Sequence, residues 1–212
     1  MDPWAREAVR VYRRYQLEIV EACGLCPWAE RARLDGRVRE RVILGEPKSE
    51  ALARIAELAE DEEVEIGLLL FPKLTIDRAG FDRFIAKLQD ADRERHELGQ
   101  IPFMFAAFHP DAEADLSHPE RLIPFLRRTP DPTIQLVRAS VVDRMRSRVP
   151  QGTQFFDPSL LDAAPIDTGP QLREKIAQTN MATVKRMGVD ELRAKLDDIL
   201  RDRNDTYRAL AS

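Results

Sequence analysis

Two short apolar runs, Ile66–Phe71 and Phe103–Phe108, interrupt a chain whose hydrophobic positions otherwise recur at intervals of three and four. Continuous runs of this length, closed by Pro72 and Pro110, read as strands buried on both faces. Strands are therefore expected over Val64–Phe71 and Ile101–Phe108, adjacent and central in one sheet. Val38–Leu44 sets Val38, Glu40 and Val42 among charged neighbours and reads as an edge strand.

Helical stripes fill the intervals. Trp4, Ala8, Val11, Tyr15, Ile19 and Ala22 mark a first helix behind Pro3 that stops near Gly24, and Cys26 and Pro27 open a short turn of helix. Leu52, Ile55, Ala56 and Ala59 mark a helix capped by Ser49 and running to Glu60. Phe81, Phe84, Ile85 and Leu88 mark another, opened by Asp77 and ending near Gly99. Pro119–Arg127 is shorter, and Gln171–Met187 and Glu191–Leu210, the latter capped by Asp190, end the chain. Between Arg128 and Arg138, Asp131 looks like an N-cap and Pro132 like the first residue of a helix carrying Ile134, Val137, Val141 and Met145 inward. The competing reading makes Thr133–Val137 a fourth strand. Strands alternating with helices give an α/β fold, with a small, mostly buried sheet of three or four strands covered by six or more helices. One domain is expected over 1–212. Within it, residues 149–169 lack periodicity and read as a lid or a mobile connection, and 170–210 form a C-terminal helical pair.

Composition narrows the function. Neither apolar run is long enough to span a bilayer, and the first residues lack a basic-then-apolar signal, so a cytoplasmic protein without membrane contact is expected. The formal net charge of -4 gives no pull toward nucleic acid. Two cysteines, Cys23 and Cys26, cannot build a disulfide framework.

His109, one of three histidines, leaves the end of the second apolar strand, where ligands gather in open α/β sheets. Its imidazole can serve as acid, base or iron ligand, with Asp111 placed to orient the ring. The alternative is a ring packed at a strand end and bonded to backbone. Cys26 at a helix start would have its thiolate favoured by the helix dipole; as Cys23-x-x-Cys26 the pair could be redox-active, or both could be small buried hydrophobes. Arg128, Thr133, Gln135 and Arg138 around a helix start would suit an anion such as carboxylate or phosphate, against the plainer reading of surface arginines paired with acids. Asn180 falls on the apolar stripe of its helix, so its amide either braces a loop or faces a ligand.

Three motifs in order, Gly24–Ala29 (GLCPWA), Phe108–Asp111 (FHPD) and Arg128–Arg138 (RTPDPTIQLVR), make the chain similar to a mainly bacterial family catalogued as domain of unknown function 1415. The resemblance covers most of the chain, to the Asn180 helix. Cys26, Pro27, Trp28 and Ala29 match the first motif and Phe108–Asp111 the second. Arg128, Pro130, Pro132, Thr133 and Arg138 match the third, Arg-Ser-Pro-x-Pro-Thr-x-His-x-x-Arg. Thr129 replaces the family's serine and Gln135 its histidine, and Cys23 lies outside the pattern. The resemblance brings no reaction with it.

These residues lead to the expectation that His109, Cys26, Arg128, Arg138 and Asn180 converge on one cavity. The leading function is a cytosolic enzyme acting on a small anionic metabolite. His109 would be its general acid/base or the ligand of a haem or metal centre, with a haem-dependent oxidoreductase as the specific variant. The alternatives are a non-catalytic binding or regulatory module and a thiol-redox protein using Cys23 and Cys26. The oligomeric state is left open.

Overall fold

The computed structural model describes residues 2–25, 29–96, 101–111, 115, 117–148 and 170–211. Its sheet has strands β1 (Val38–Val42), β2 (Ile66–Leu70), β3 (Phe103–Phe108) and β4 (Thr133–Arg138) in the order β1-β2-β4-β3. β1 and β2 are parallel, and β4 runs antiparallel to both β2 and β3. The fold is mixed α/β, as the alternation of patterns implied, but the two apolar strands are not neighbours. β4 lies between them, and β3 is an edge strand.

β4 occupies the segment favoured as a helix. The Asp-Pro pair imitates a helix start, yet the Asp131 side chain caps nothing: it bonds to residues 72 and 76 positions away. Thr133–Arg138 then pairs with strands on both sides, and two ladders of backbone hydrogen bonds outweigh a weak local signal.

Helices cover both faces. On the first face lie α1 (Pro3–Tyr15), which continues as a π-helical segment Gln16–Glu21, then α2 (Ala29–Leu34), α5 (Pro119–Leu126), α7 (Pro170–Met187) and α8 (Val189–Leu210). On the second face lie α3 (Pro47–Glu60) and α4 (Arg78–Arg93), which carry the chain from β1 to β2 and from β2 to β3. A further helix, α6 (Ala139–Arg148), leaves the end of β4. Side chains alternate between the faces. Ile66, Leu68 and Leu70 join the first core, whereas Leu69, Ile134 and Leu136 join the second.

Local chemistry sets the helix starts. Pro3 follows Asp2, whose carboxylate accepts from Trp4 N at 2.8 Å. Glu46, not Ser49, caps α3, accepting from Ser49 N at 2.7 Å, and Asp77 caps α4 through Gly80 N. Gly188, at φ 89°, makes the left-handed break between α7 and α8. Charged pairs then fix α1 on α8: Asp202 accepts from Arg10 at 2.7 Å and from Arg14 at 2.7 Å. The 149–169 segment and Cys26 lie outside the described residues.

Candidate functional site

The carboxyl end of β3 brings the second and third motifs together. His109 N donates to Arg127 O at 3.0 Å, and Arg128 Nε donates to Pro110 O at 2.9 Å. The His109 ring is only 4% exposed and packs 5.7 Å from Phe81. Its Nδ1 accepts from the Asp111 backbone N–H at 3.2 Å, which leaves the proton on Nε2, and Nε2 donates to Ile76 O at 3.1 Å. Asp111 therefore orients the ring through its backbone. Its carboxylate is 3.8 Å away and largely exposed. With both nitrogens engaged, neither is open to a substrate proton or to iron. The plainer reading of a packed, backbone-bonded histidine describes this geometry: His109 ties the 71–77 loop to the end of β3.

The Thr129–Thr133 turn is equally closed. The hydroxyls of Thr129 and Thr133 both donate to Asp131 O, at 2.7 and 2.9 Å. Asp131, 2% exposed, accepts from Arg203 Nε at 2.9 Å and from the Tyr207 hydroxyl at 2.7 Å. Burial pushes its carboxyl up, against the opposing pull of Arg203 and Tyr207. Burial and the neighbouring carboxylate push the Tyr207 phenol well above its ordinary range. Arg203 also donates to Pro72 O and stacks on the Tyr207 ring, so the turn fastens α8 across the sheet end. Nothing in the sequence near Asp131 signals these partners.

Arg128 and Arg138 do not form an anion clamp. Arg128 is spent on Pro110 O and on Asp197, at 3.2 Å. Arg138 donates to Val64 O at 2.6 Å, Asp61 O at 2.6 Å and Leu58 O at 3.1 Å, and lies 4.8 Å over the Phe103 ring. It collects carbonyls from the end of α3 and the approach to β2. Arg138 pairs in register with Phe103, the residue that starts β3, whereas His109 follows its end. The two are thus separated by the length of a strand, on the order of 17 Å. The expected single cavity uniting them is not formed.

Cys23 is 3% exposed and burial pushes its thiol up, which describes a small core residue rather than an activated nucleophile. Among the described residues no group of three or more His, Cys, Asp or Glu side chains is placed to hold a metal, and no helix is long and apolar enough to cross a membrane.

Two predicted residues remain uncommitted. Gln135 points to the first face, in a cross-strand row of Glu40, Leu68, Gln135 and Ala106. Its immediate neighbours in that row are apolar, and its half-buried amide has no hydrogen-bond partner among the described residues. Asn180 is 6% exposed on α7, on the stripe of Ala177, Met181 and Val184 that faces the first core, and its amide is likewise unpartnered. So is the hydroxyl of Thr183, 8% exposed and three residues on. Thr183 is absent from the sequence reading, although its i+3 spacing from Asn180 signals a shared face.

Compared with known proteins, the chain matches no curated protein and no solved structure. A family model does match, over residues 8–157, more than half of the chain, and its span contains all three motifs but ends before α7 and α8. The chain belongs to the DUF1415 family, described as a protein family of unknown function.

Proposed function

We propose that this protein binds a small polar molecule between β4 and α7, holding it with Gln135, Asn180 and Thr183. This keeps the non-catalytic binding alternative but replaces its partner surface on the first and C-terminal helices with a small-molecule site. The observation that carries it is the Asn180 amide, in a core stripe and without a partner among the described residues, since a buried amide without a partner costs about 1–3 kcal/mol. A leucine of similar size would avoid that cost. Retaining the amide is understandable if a bound molecule completes its hydrogen bonds.

Gln135 supports the same reading, as a second amide on the first face without a hydrogen-bond partner among the described residues. Its neighbour in the row on β3 is the small Ala106, and β3 is a partly exposed edge strand. Acid–base or iron chemistry at His109 would need a nitrogen that Ile76 and Asp111 now occupy, and an anion would need arginines already bound to backbone carbonyls.

Native mass spectrometry of the purified full chain tests the proposal. A small molecule retained by the parent protein and lost from Asn180→Leu and Gln135→Leu is expected. A molecule retained equally by both variants, or retention lost only in variants that no longer fold, would overturn it.

A further inference from the structure

Independently of any small molecule, we infer that two copies of this protein join edge to edge through β3, as antiparallel strands about a two-fold axis at Ala106. The sheet has two edges and treats them differently. β1, at one edge, carries Arg39, Glu40 and Arg41. Ile66 N donates to Arg37 O and Ile43 N to Leu70 O, so by alternation Val38, Glu40 and Val42 turn their backbone groups to the open side. There Arg39 donates to Val38 O at 3.2 Å and Arg41 to Glu40 O at 3.0 Å. Charged side chains folded over an edge in this way block the addition of another strand.

β3, at the other edge, has no such guard, and its sequence FMFAAF is without charge. Ala139 N donates to Pro102 O, so Met104, Ala106 and Phe108 spend their backbone groups on β4, whereas Phe103, Phe105 and Ala107 turn theirs outward. Phe103 is 1% exposed, and past the other end His109 N is held by Arg127 O. The open part of the edge is therefore Phe105 and Ala107. Both are half-buried, and their outward N–H and C=O groups have no partner among the described residues.

That stretch is symmetric about Ala106, which selects a second copy as the occupant. In an antiparallel pair centred there, Phe105 of each copy exchanges both backbone hydrogen bonds with Ala107 of the other, so every outward group gains a partner. Ala106 meets its own counterpart at the closest approach of the strands, about 4.5 Å between Cα atoms, where a small side chain suits. On the second face the large Phe105 lies beside the small Ala107 of the second copy. With no charge on the strand, two identical edges meet without like-charge repulsion. The contact is reciprocal and so closes at two copies.

Analytical ultracentrifugation of the full chain tests the inference. The parent protein should pass from the mass of one chain to that of two as its concentration rises. Phe105→Lys brings a charge onto the edge of each copy, and Ala107→Pro deletes an outward N–H but no bond to β4. Each should weaken association at least tenfold with the circular dichroism spectrum unchanged. Ala106→Cys should form a cross-linked dimer on oxidation, because the Cα separation at the axis suits a disulfide, and Met104→Cys should not. A chain that stays single at every concentration overturns the inference, the edge then being bare or covered from within the same chain. A dimer indifferent to Phe105→Lys and Ala107→Pro, or one that Met104→Cys cross-links in place of Ala106→Cys, overturns it as well.

Discussion

Against the second face of the sheet, Leu58, Leu69, Phe71, Phe81, Leu88, Phe103 and Leu136 meet as one buried apolar cluster. The polar side chains that border it, His109 and Arg138, have their partners in backbone carbonyls. Gly67 lets Leu58 approach so closely that an added Cβ would lie 2.9 Å from its Cδ1. Against the first face, the same strands meet a helical layer in which Asn180 and Thr183 are buried without partners among the described residues, and Gln135 is a half-buried amide on that face of the sheet. Packing on one side is optimised for stability. On the other, two buried polar side chains of α7 have no hydrogen-bond partner among the described residues. Under the proposed function, the difference separates residues that hold the fold from residues available to a ligand, and it reverses the ranking given by chemical reactivity alone.

The sharpest challenge to that contrast lies at the sheet end, where Asp131 joins α8 to the β4 turn. Asp131→Ala leaves Arg203 and Tyr207 facing an empty buried position, and should cost about 3–5 kcal/mol in urea denaturation. A loss below about 1 kcal/mol would mean that α8 is held mainly by its apolar stripe. Next in size is a paired test of the two faces. Gly67→Val must displace Leu58 and Leu136 and should cost about 1–3 kcal/mol. Ala106→Val, on the partly exposed edge strand beside Gln135, should cost less than about 0.5 kcal/mol while weakening ligand binding. Equal losses in the two variants would remove the contrast.

The sequence carried more of the fold than of the site. Helices α1, α3, α4, α7 and α8 and strands β1, β2 and β3 follow from periodicity, because each buries one continuous stripe or run. β4 was the weaker alternative because TIQLV is too short to separate strand from helix and the preceding Asp-Pro pair imitates a cap. The strand order depends on β4 and was hidden with it. At the site, the Asn180 stripe position was legible in helical spacing. The commitments of His109, Arg128 and Arg138 were not, since each binds a carbonyl supplied by another part of the fold: Ile76, Pro110 and Val64. A sequence shows which side chains could react or bind charge, but not which the backbone has already engaged.

A smaller effect sharpens the contrast from the first face. Asn180→Leu should raise the stability of the ligand-free protein by about 1 kcal/mol, because an unpaired amide is exchanged for an apolar side chain of similar size. Thermal denaturation of both proteins after dialysis would read this as a higher Tm. A drop of comparable size would mean that the amide already serves the fold, and the two faces would differ less than argued.

The smallest effect concerns how the helical layer stays in place. Asp202 on α8 has its carboxyl held well below the ordinary carboxylate range by hydrogen bonds from Arg10 and then Arg14. A pKa depressed by folding adds stability at pH values above the unfolded value of about 3.9, and that stability is lost as pH falls below it toward the folded value. The pair is partly exposed, with Arg10 41% and Asp202 25% accessible, so solvent screening limits the contribution to under about 1 kcal/mol. Urea denaturation at pH 7 and pH 3 should therefore show a shallower acid loss for Asp202→Asn than for the parent chain. Identical pH dependence would place the attachment of α1 to α8 in apolar contacts such as Trp4 against Tyr207, whose rings lie 4.9 Å apart. The grip of α8 on the rest of the fold would then come from those contacts together with the buried Asp131–Arg203 pair at the sheet end.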